Sequence, residues 1–243
     1  MDIDRAVRIR FTVRPLRWII NVLGLYVLLL IGACPAVISN PIPPPVIRIL
    51  TPAETQKKIQ IDFVESELTA RLKSNNGAKV RAIAATLVDE AHIGRLDPLF
   101  VLAVIEVESN FDVEACSSSK AKGLMQILPS TFASLNPTGS IFDPVENVRA
   151  GTRYLVLLGD SFRRPESILM AYNGGPGTTS KYLKAQAEGE EYPISHEMRT
   201  YPGKVMANYK RLLAKTGHKP VLAGKLFRIA NTPLMVASID KQP

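Results

Sequence analysis

The chain has 243 residues, of which 46% are hydrophobic, and it carries a formal net charge of +8 at pH 7. This length and apolar content suffice to bury one sizeable core, with room for further segments beside it. The positive charge suits an anionic partner such as nucleic acid, an anionic membrane or an acidic polymer of a cell envelope. Because the sequence contains no helix-turn-helix, zinc-finger or RNP-type pattern, we expect no nucleic-acid partner.

Residues 1–33 are typical of an export signal or of a membrane anchor. Five arginines precede an uncharged stretch whose densest apolar part is Trp18–Ile31. A basic flank followed by an apolar core is the signature of an export signal, but Trp18–Ile38 is also long enough to span a bilayer. Ile31–Cys34 further resembles a bacterial lipobox, in which Cys34 would carry a lipid. Each alternative keeps the arginines inside and therefore places the rest of the chain outside the cytoplasm.

Residues 34–77 are predicted to form a spacer and a charged helix. Asn40–Pro45 is a stiff, polyproline-like stretch. Thr51–Glu54 forms a capping box with Pro52 at the first helical position, which predicts a helix that runs to about Lys73. The many charged side chains of this helix favour a surface helix or a stalk. We expect Ser74–Gly77 to end the helix and to mark a domain boundary.

Two helices are predicted next. Apolar residues recur at helical spacing from Val80 to Ala91, which indicates an amphipathic helix that ends at Gly94. Asp97 followed by Pro98 is an N-cap with proline in the first position, so a second helix begins there and runs to Ser109. Eight of the nine residues from Leu99 to Val107 are apolar, which is typical of a buried central helix.

The remaining pattern predicts a mainly α-helical domain over residues 78–216, followed by a tail at 217–243 without an assigned role. No stretch alternates at period two for long enough to indicate a strand. Further helices are expected to start at Pro129, at about Asp143 (to about Leu158) and at Pro165 (to about Ala171), and to cover Thr178–Ala187 and about Gly203–Lys215. Asn173–Gly177 is expected to form a break in the chain.

Glu108, in the last turn of the central helix, is the candidate acid. The partial negative charge of a helix C-terminus disfavours an anion there, and apolar surroundings raise the pKa of a carboxyl group by desolvation. A carboxyl group that stays protonated near neutral pH can serve as a general acid. Glu106 lies about 200° away around the helix, so it is expected to face solvent or a basic neighbour.

Four blocks of the sequence resemble the soluble lytic transglycosylase family, whose members have a lysozyme-like fold. The blocks are Glu108–Phe111, Gly123–Gln126, Asn147–Leu155 and Ala171–Gly177, and they occur in the family's order. The resemblance implies a lysozyme-like α-helical catalytic domain. It also implies non-hydrolytic cleavage of the β-1,4 bond between N-acetylmuramic acid and N-acetylglucosamine in peptidoglycan, which leaves a 1,6-anhydro sugar.

The resemblance further implies roles for single residues. Glu108 would be the only catalytic group, first as acid and then as base, and Tyr172 would hydrogen-bond to it. Ser117 would lie near the acid and the substrate's N-acetyl group, and Asn173 beside the scissile sugar. The cleft wall that contacts the sugar would be formed by Gly123, Leu124, Met125 and Gln126. For Leu124 and Met125 the alternative is a place in the core, and for Tyr172 a half-buried helix position.

The sequence departs from the family pattern at Glu197–Pro202. Proline cannot lie inside an uninterrupted helix, so the helix that carries Tyr201 is expected to be broken or to begin later, and a substrate role for Glu197 or Tyr201 is doubtful. The three histidines are scattered, which indicates no metal site, and we expect no cofactor. Cys34 and Cys116 would form a disulfide only if Cys34 is not lipidated.

Two other functions stay open beside the transglycosylase. A lysozyme-type peptidoglycan hydrolase needs only a positioned water in place of the substrate hydroxyl. A non-catalytic murein-binding scaffold in an envelope protein complex is the alternative from another class. In every case the expected location is the periplasmic side of a bacterial cell envelope, either exported or held at the membrane by residues 1–33 or by a lipid on Cys34.

Overall fold

The computed structural model describes residues 50–73 and 76–216. The predicted export or anchor segment, Cys34, the proline-rich spacer and the C-terminal tail lie outside these residues. The described part of the chain is built from helices, with isolated antiparallel bridges at 116–127 and no strand, so the mainly α-helical fold is confirmed. The helices are α1 (Pro52–Thr69), α2 (Gly77–Ile93), α3 (Pro98–Ser109), α4 (Pro129–Ser134), α5 (Pro144–Ser161), α6 (Pro165–Gly174), α7 (Pro176–Glu188) and α8 (His196–Thr216).

Helix α3 is the predicted central helix, with the predicted bounds. One oxygen of the Asp97 side chain accepts the backbone N–H of Leu99 at 2.9 Å, and Pro98 occupies the first turn. Every residue from Pro98 to Ile105 is buried, whereas the last turn is only half-buried. The helix therefore crosses the core and brings its C-terminal turn, with Glu108, to the edge of that core.

Helix α1 is not a stalk. Although α1 carries many charged residues, Val64 and Leu68 are fully buried in the hydrophobic core that also contains α2 and α3. Residues four apart lie on the same face of a helix, so these two side chains form a short apolar stripe. The sequence interpretation overlooked this stripe because the charged residues of α1 outnumber its two apolar members. Leu72, in the turn after α1, belongs to the same core.

Helix α8 begins seven residues earlier than predicted and continues through Pro202. A proline inside a helix costs about 3 kcal/mol, because it removes a backbone hydrogen bond and crowds the preceding turn. Here the packing of one helix face outweighs that cost, since each large apolar side chain contributes about 2 kcal/mol when it is buried. The buried face of α8 consists of Met198, Tyr201, Pro202, Val205, Tyr209 and Leu212.

The other helices agree with the local sequence patterns that predicted them. Helix α2 buries the whole predicted stripe from Val80 to Ala91 and ends at Ile93, with Gly94 as its C-cap. Helices α4, α5 and α6 begin at Pro129, Pro144 and Pro165, as expected. The predicted break near residue 175 is a single residue, Gly175, whose φ of 85° separates α6 from α7. Within residues 50–73 and 76–216, no helix combines the length and apolar content needed to cross a bilayer.

Candidate active site

The backbone turns sharply immediately after Glu108. Asn110 and Phe111 both have left-handed backbone conformations, with φ values of 47° and 66°. Asparagine tolerates this region, but a bulky side chain such as phenylalanine is rarely found there. Phe111 is 2% exposed and packs in the core. Its burial holds the strained turn, and the turn fixes the point where α3 ends and the following loop begins.

Burial raises the pKa of Glu108 from 4.5 to about 7. The Glu197 carboxylate acts in the same direction, whereas the hydroxyl of Tyr201 lowers the pKa by hydrogen-bonding to the charged form. A substantial share of the molecules therefore carries a proton on Glu108 at neutral pH. This is the state that the sequence predicts for a carboxyl group in the last turn of an apolar helix.

The hydroxyl of Tyr201 donates a hydrogen bond to Oε1 of Glu108 at 2.5 Å. Tyr201 is 2% exposed, and burial, with the nearby Glu108 charge, raises its pKa well above the ordinary value. The hydroxyl therefore stays protonated and remains a donor at neutral pH. With Oε1 occupied by this hydrogen bond, Oε2 is the oxygen that can present a proton to a ligand.

Sequence reasoning assigned this hydrogen bond to the wrong tyrosine. The hydroxyl of Tyr172 donates to the backbone carbonyl of Met125 at 2.8 Å and not to Glu108. Tyr201 was set aside because Pro202 was expected to break its helix, yet α8 is continuous. The spacing of Glu197 and Tyr201 could have indicated that they act together, because residues four apart lie on the same face of a helix. In the structure both side chains affect the pKa of Glu108.

The turn Gly123–Gln126 is held by Asn147, which the sequence analysis did not single out within its block. Asn147 is fully buried. Its side chain accepts the N–H of Met125 at 2.8 Å and donates to the carbonyls of Lys122 and Ile141 at 2.9 and 2.8 Å. Gly123 has a φ of 75°, and a Cβ at this position would lie 2.5 Å from Nδ2 of Asn147.

The side chains of the turn Gly123–Gln126 pack in the core or form hydrogen bonds within the loop. Leu124 and Met125 are fully buried, in agreement with the core alternative. The amide of Gln126 donates to the carbonyls of Ala115 and Gly123 at 3.0 and 2.9 Å, so it braces the loop. A cleft contact by this turn stays a prediction.

Asn173, at the end of α6, connects to α8. Its amide donates to Oε1 of Glu197 at 3.4 Å, and the ring of the preceding Tyr172 lies 5.4 Å from that of Tyr154. The ends of α3 and α6 and the first turns of α8 thus surround Glu108. Ser117 is exposed and its hydroxyl accepts the N–H of Ala121 at 3.0 Å, so its expected place beside the substrate stays a prediction.

In the part of the chain that the structure describes, no three His, Cys, Asp or Glu side chains gather where they could hold a metal ion. The expected absence of a cofactor stays a prediction. Cys116 is exposed and has no disulfide partner among the described residues, which do not include Cys34. The arrangement offers one carboxyl group that can donate a proton at neutral pH, oriented by a tyrosine.

Comparison with known families identifies this helical region. The family model described as the transglycosylase SLT domain matches residues 88–195. Residues 88–195 are thus similar to a transglycosylase SLT domain. The resemblance carried by the four sequence blocks is therefore confirmed. The match includes Glu108 and the turn Gly123–Gln126, whereas Tyr201 on α8 lies beyond it.

The chain is also similar to curated proteins and to a solved structure. The transglycosylase of Enterobacteria phage PRD1 is 32% identical over 122 residues, which cover 50% of this chain and 41% of the phage protein. Membrane-bound lytic murein transglycosylase C of Edwardsiella ictaluri is 31% identical over 128 residues, covering 45% of this chain and 35% of that protein. The chain thus spans less than half the length of each relative.

The solved structure of the 70 kDa soluble lytic transglycosylase SLT70 from Escherichia coli supports the fold. It superposes with a TM-score of 0.51 and 21% sequence identity, and the match covers 70% of this chain and 32% of SLT70. At this identity the likeness concerns the fold, which agrees with the predicted lysozyme-like helical domain.

Proposed function

We propose that the protein is a lytic transglycosylase that cleaves peptidoglycan glycan strands without hydrolysis. The bond cleaved is the β-1,4 bond between N-acetylmuramic acid and N-acetylglucosamine. The observation that carries the proposal is Glu108 in an SLT domain, with a pKa raised to about 7 by burial. A carboxyl group of that pKa is an efficient proton donor at neutral pH, because its pKa matches the working pH.

In the first step Glu108 acts as the general acid. Oε2 gives its proton to the glycosidic oxygen as the bond from that oxygen to the anomeric carbon breaks, and N-acetylglucosamine leaves with a free 4-hydroxyl. Positive charge develops on the muramoyl ring as the glutamate becomes negative. The hydrogen bond from Tyr201 to Oε1 strengthens as that negative charge forms.

In the second step the same glutamate acts as the base. The muramoyl 6-hydroxyl oxygen attacks the anomeric carbon, and its proton passes to Glu108, which restores the acid. Because the nucleophile belongs to the substrate, its effective molarity far exceeds that of a separate reactant. Hydrolytic glycosidases use two carboxylates to activate water or to attack the sugar, and this route needs only one.

The other predicted site residues keep their roles within the proposal. The backbone of Gly123, Leu124 and Met125, together with Gln126, contacts the sugar from one side. Tyr172 and Asn173 lie beside the scissile unit, and Ser117 contacts the N-acetyl group. Since Tyr172 hydrogen-bonds the carbonyl of Met125, it acts by holding this turn rather than by holding the proton.

The proposed substrate also sets the proposed location. Peptidoglycan lies outside the cytoplasmic membrane, so residues 1–33 would act as the export signal or the anchor, with a lipid on Cys34 as the third route. One relative is named a membrane-bound lytic murein transglycosylase, in keeping with attachment to the envelope.

Product analysis tests the proposed function. The purified protein is incubated with murein sacculi, and the soluble fragments are examined by mass spectrometry. Fragments that end in 1,6-anhydromuramic acid are expected, 18 mass units lighter than hydrolysed ones because one water is not added. Fragments with reducing ends would identify a hydrolase instead. Retained binding to sacculi without any fragments would indicate the murein-binding scaffold.

A further inference from the structure

Arg71, in the turn that follows α1, reaches the chain on both sides of Glu108. One guanidinium nitrogen lies 3.0 Å from Oε1 of Glu106, two residues before Glu108. The guanidinium carbon also lies 4.8 Å from the ring centre of Phe111, three residues after Glu108. A second nitrogen contacts Glu67 at 2.7 Å, which ties the arginine to its own helix.

These contacts hold the part of the backbone that fixes Glu108. Glu106 marks the last regular turn of α3, and Phe111 occupies the second of two left-handed positions that end the helix. A left-handed backbone at a bulky residue is strained and persists only where its surroundings fix it. Arg71 covers the ring of that residue and binds the helix turn before it.

We propose that Arg71 is a positioning residue for Glu108, and that the turn after α1 is thereby part of the active-site machinery. The proposal rests on the proposed function and deepens it, because it adds a segment that lies before the SLT match at residues 88–195. Leu72, buried in the core, fixes the next position of the same turn.

Helix α8 completes this clamp from the other side. Arg211 pairs with Glu106, and Lys215 contacts Glu67 at 2.7 Å. Glu106 is therefore held between Arg71 and Arg211, so α3 is tied to α1 and to α8 at the turn that carries Glu108. Helix α8 also carries Tyr201, which bonds Glu108 directly. The clamp thus fixes the acid relative to its hydrogen-bond donor.

Only arginine can make the three contacts together. Its planar guanidinium presents several donors in a fixed fork and can also lie against an aromatic face. Lysine keeps the charge but offers a single compact group, which cannot serve Glu67, Glu106 and Phe111 at once. Arg71→Lys therefore separates the loss of geometry from the loss of charge.

The sign of the pKa change distinguishes positioning from a simple charge effect. Removal of a positive charge raises the pKa of a nearby carboxyl group. A loosened helix end, in contrast, admits water to Glu108, relieves its desolvation and lowers its pKa. Neither substitution replaces the titratable groups that face Glu108 from α8, Tyr201 and Glu197.

The test is the carboxyl pKa of Glu108, measured by NMR titration of ¹³C-labelled glutamate and assigned with Glu108→Gln. In Arg71→Met we expect this pKa to fall by about one unit and the turnover number for murein cleavage to fall about ten-fold, with KM little changed. Arg71→Lys should show a smaller change in the same direction. The matched control is Arg81→Met, because Arg81 on α2 pairs with Asp62 and Glu65 on α1, away from Glu108.

Three outcomes would overturn the proposal. They are an unchanged Glu108 pKa in folded Arg71→Met, an upward shift that Arg71→Lys abolishes, and an equal shift in Arg81→Met. If Arg71→Met does not fold, Arg71→Lys and Phe111→Leu replace it, with the same expected direction. The NMR titration requires no activity, so wild-type protein that releases no fragments contradicts the proposed function and leaves this test intact.

Discussion

The two ends of α3 carry the same pair of groups in opposite settings. At the N-terminus, Tyr209 donates a hydrogen bond to Asp97 at 2.8 Å. At the C-terminus, Tyr201 donates one to Glu108 at 2.5 Å. Both tyrosines belong to α8, and both are 2–3% exposed. The difference between the two ends therefore lies in the helix and in the surroundings of each carboxyl group.

The helix dipole separates their roles. An anion is favoured at a helix N-terminus, where it meets unpaired N–H groups, and disfavoured at a C-terminus. Asp97 lies at the N-terminus of α3, where its charge is favoured, and it accepts the N–H of Leu99. Glu108 is surrounded by apolar groups, a tyrosine and the Glu197 carboxylate, and its pKa is raised to about 7. One carboxyl–tyrosine pair thus stabilises the helix, and the other keeps a proton available for chemistry.

The largest expected effect comes from Glu108→Gln. The amide has nearly the same shape but can neither donate the proton usefully nor take it back, so murein cleavage should fall by about 10³-fold or more. The measurement is the release of 1,6-anhydromuropeptides from sacculi, with circular dichroism to confirm that the variant is folded.

The matched control is Glu106→Gln, on the other face of α3. The amide keeps the shape of the glutamate but not the charge that pairs with Arg71 and Arg211, so activity should fall no further than in Arg71→Met, about ten-fold, and far less than in Glu108→Gln. Full activity in folded Glu108→Gln contradicts the mechanism. An inactive Glu106→Gln beside it would transfer the acid role to Glu106.

The second prediction concerns the pH dependence of stability. Glu108 has a higher pKa in the folded state than in the unfolded state, so the folded protein binds the proton more tightly. The free energy of unfolding should therefore fall by about 3 kcal/mol as the pH rises from about 4.5 to about 7. Above that range the contribution of Glu108 should stay constant. Thermal unfolding across this range measures it. Glu108→Gln should lose this part of the pH dependence, and an identical dependence in both proteins would contradict the raised pKa.

The sequence predicted the helix that carries Glu108 because its signals are local. Asp97 and Pro98 mark its start, and the apolar run from Leu99 leaves it no exposed face. The raised pKa followed from the same run, since desolvation by neighbouring apolar groups does not depend on knowing which groups they are.

The partners of the site were less predictable, because they depend on tertiary packing. Local propensity forbids Pro202 inside a helix, but the buried face of α8 overrides that preference and brings Tyr201 to Glu108. The stripe of Val64 and Leu68 was likewise hidden among charges. Arg71 lies 35 positions before Glu106, and no local pattern connects residues at that distance.

The third prediction tests the structural end of α3. Tyr209→Phe removes a hydrogen bond to a buried Asp97, so the free energy of unfolding should fall by about 2 kcal/mol. The activity of the folded variant should stay near wild type, because Asp97 lies at the end of the helix remote from Glu108. Urea unfolding and murein cleavage are measured on the same sample. A large loss of activity without a loss of stability would show that the two ends of α3 are coupled.

The smallest effect, and the sharpest test of the comparison, is expected for Tyr201→Phe. The hydroxyl stabilises the charged form of Glu108, so its removal should raise the pKa of Glu108 further, opposite in sign to the change expected for Arg71→Met. The fall in kcat/KM at alkaline pH should then begin at a higher pH. At pH 7 activity should fall about ten-fold, because the negative charge that forms in the first step loses a hydrogen bond.

Tyr172→Phe is the matched control for Tyr201→Phe. It removes a hydroxyl that donates to the carbonyl of Met125, so it should weaken the turn Gly123–Gln126 and raise KM while the pH profile keeps its position. The two variants differ from wild type by one oxygen atom each and lie on neighbouring helices. If Tyr172→Phe moves the pH profile and Tyr201→Phe does not, the sequence-based assignment of the hydrogen bond to Tyr172 is the better one, and the contact at 2.5 Å has no part in the chemistry.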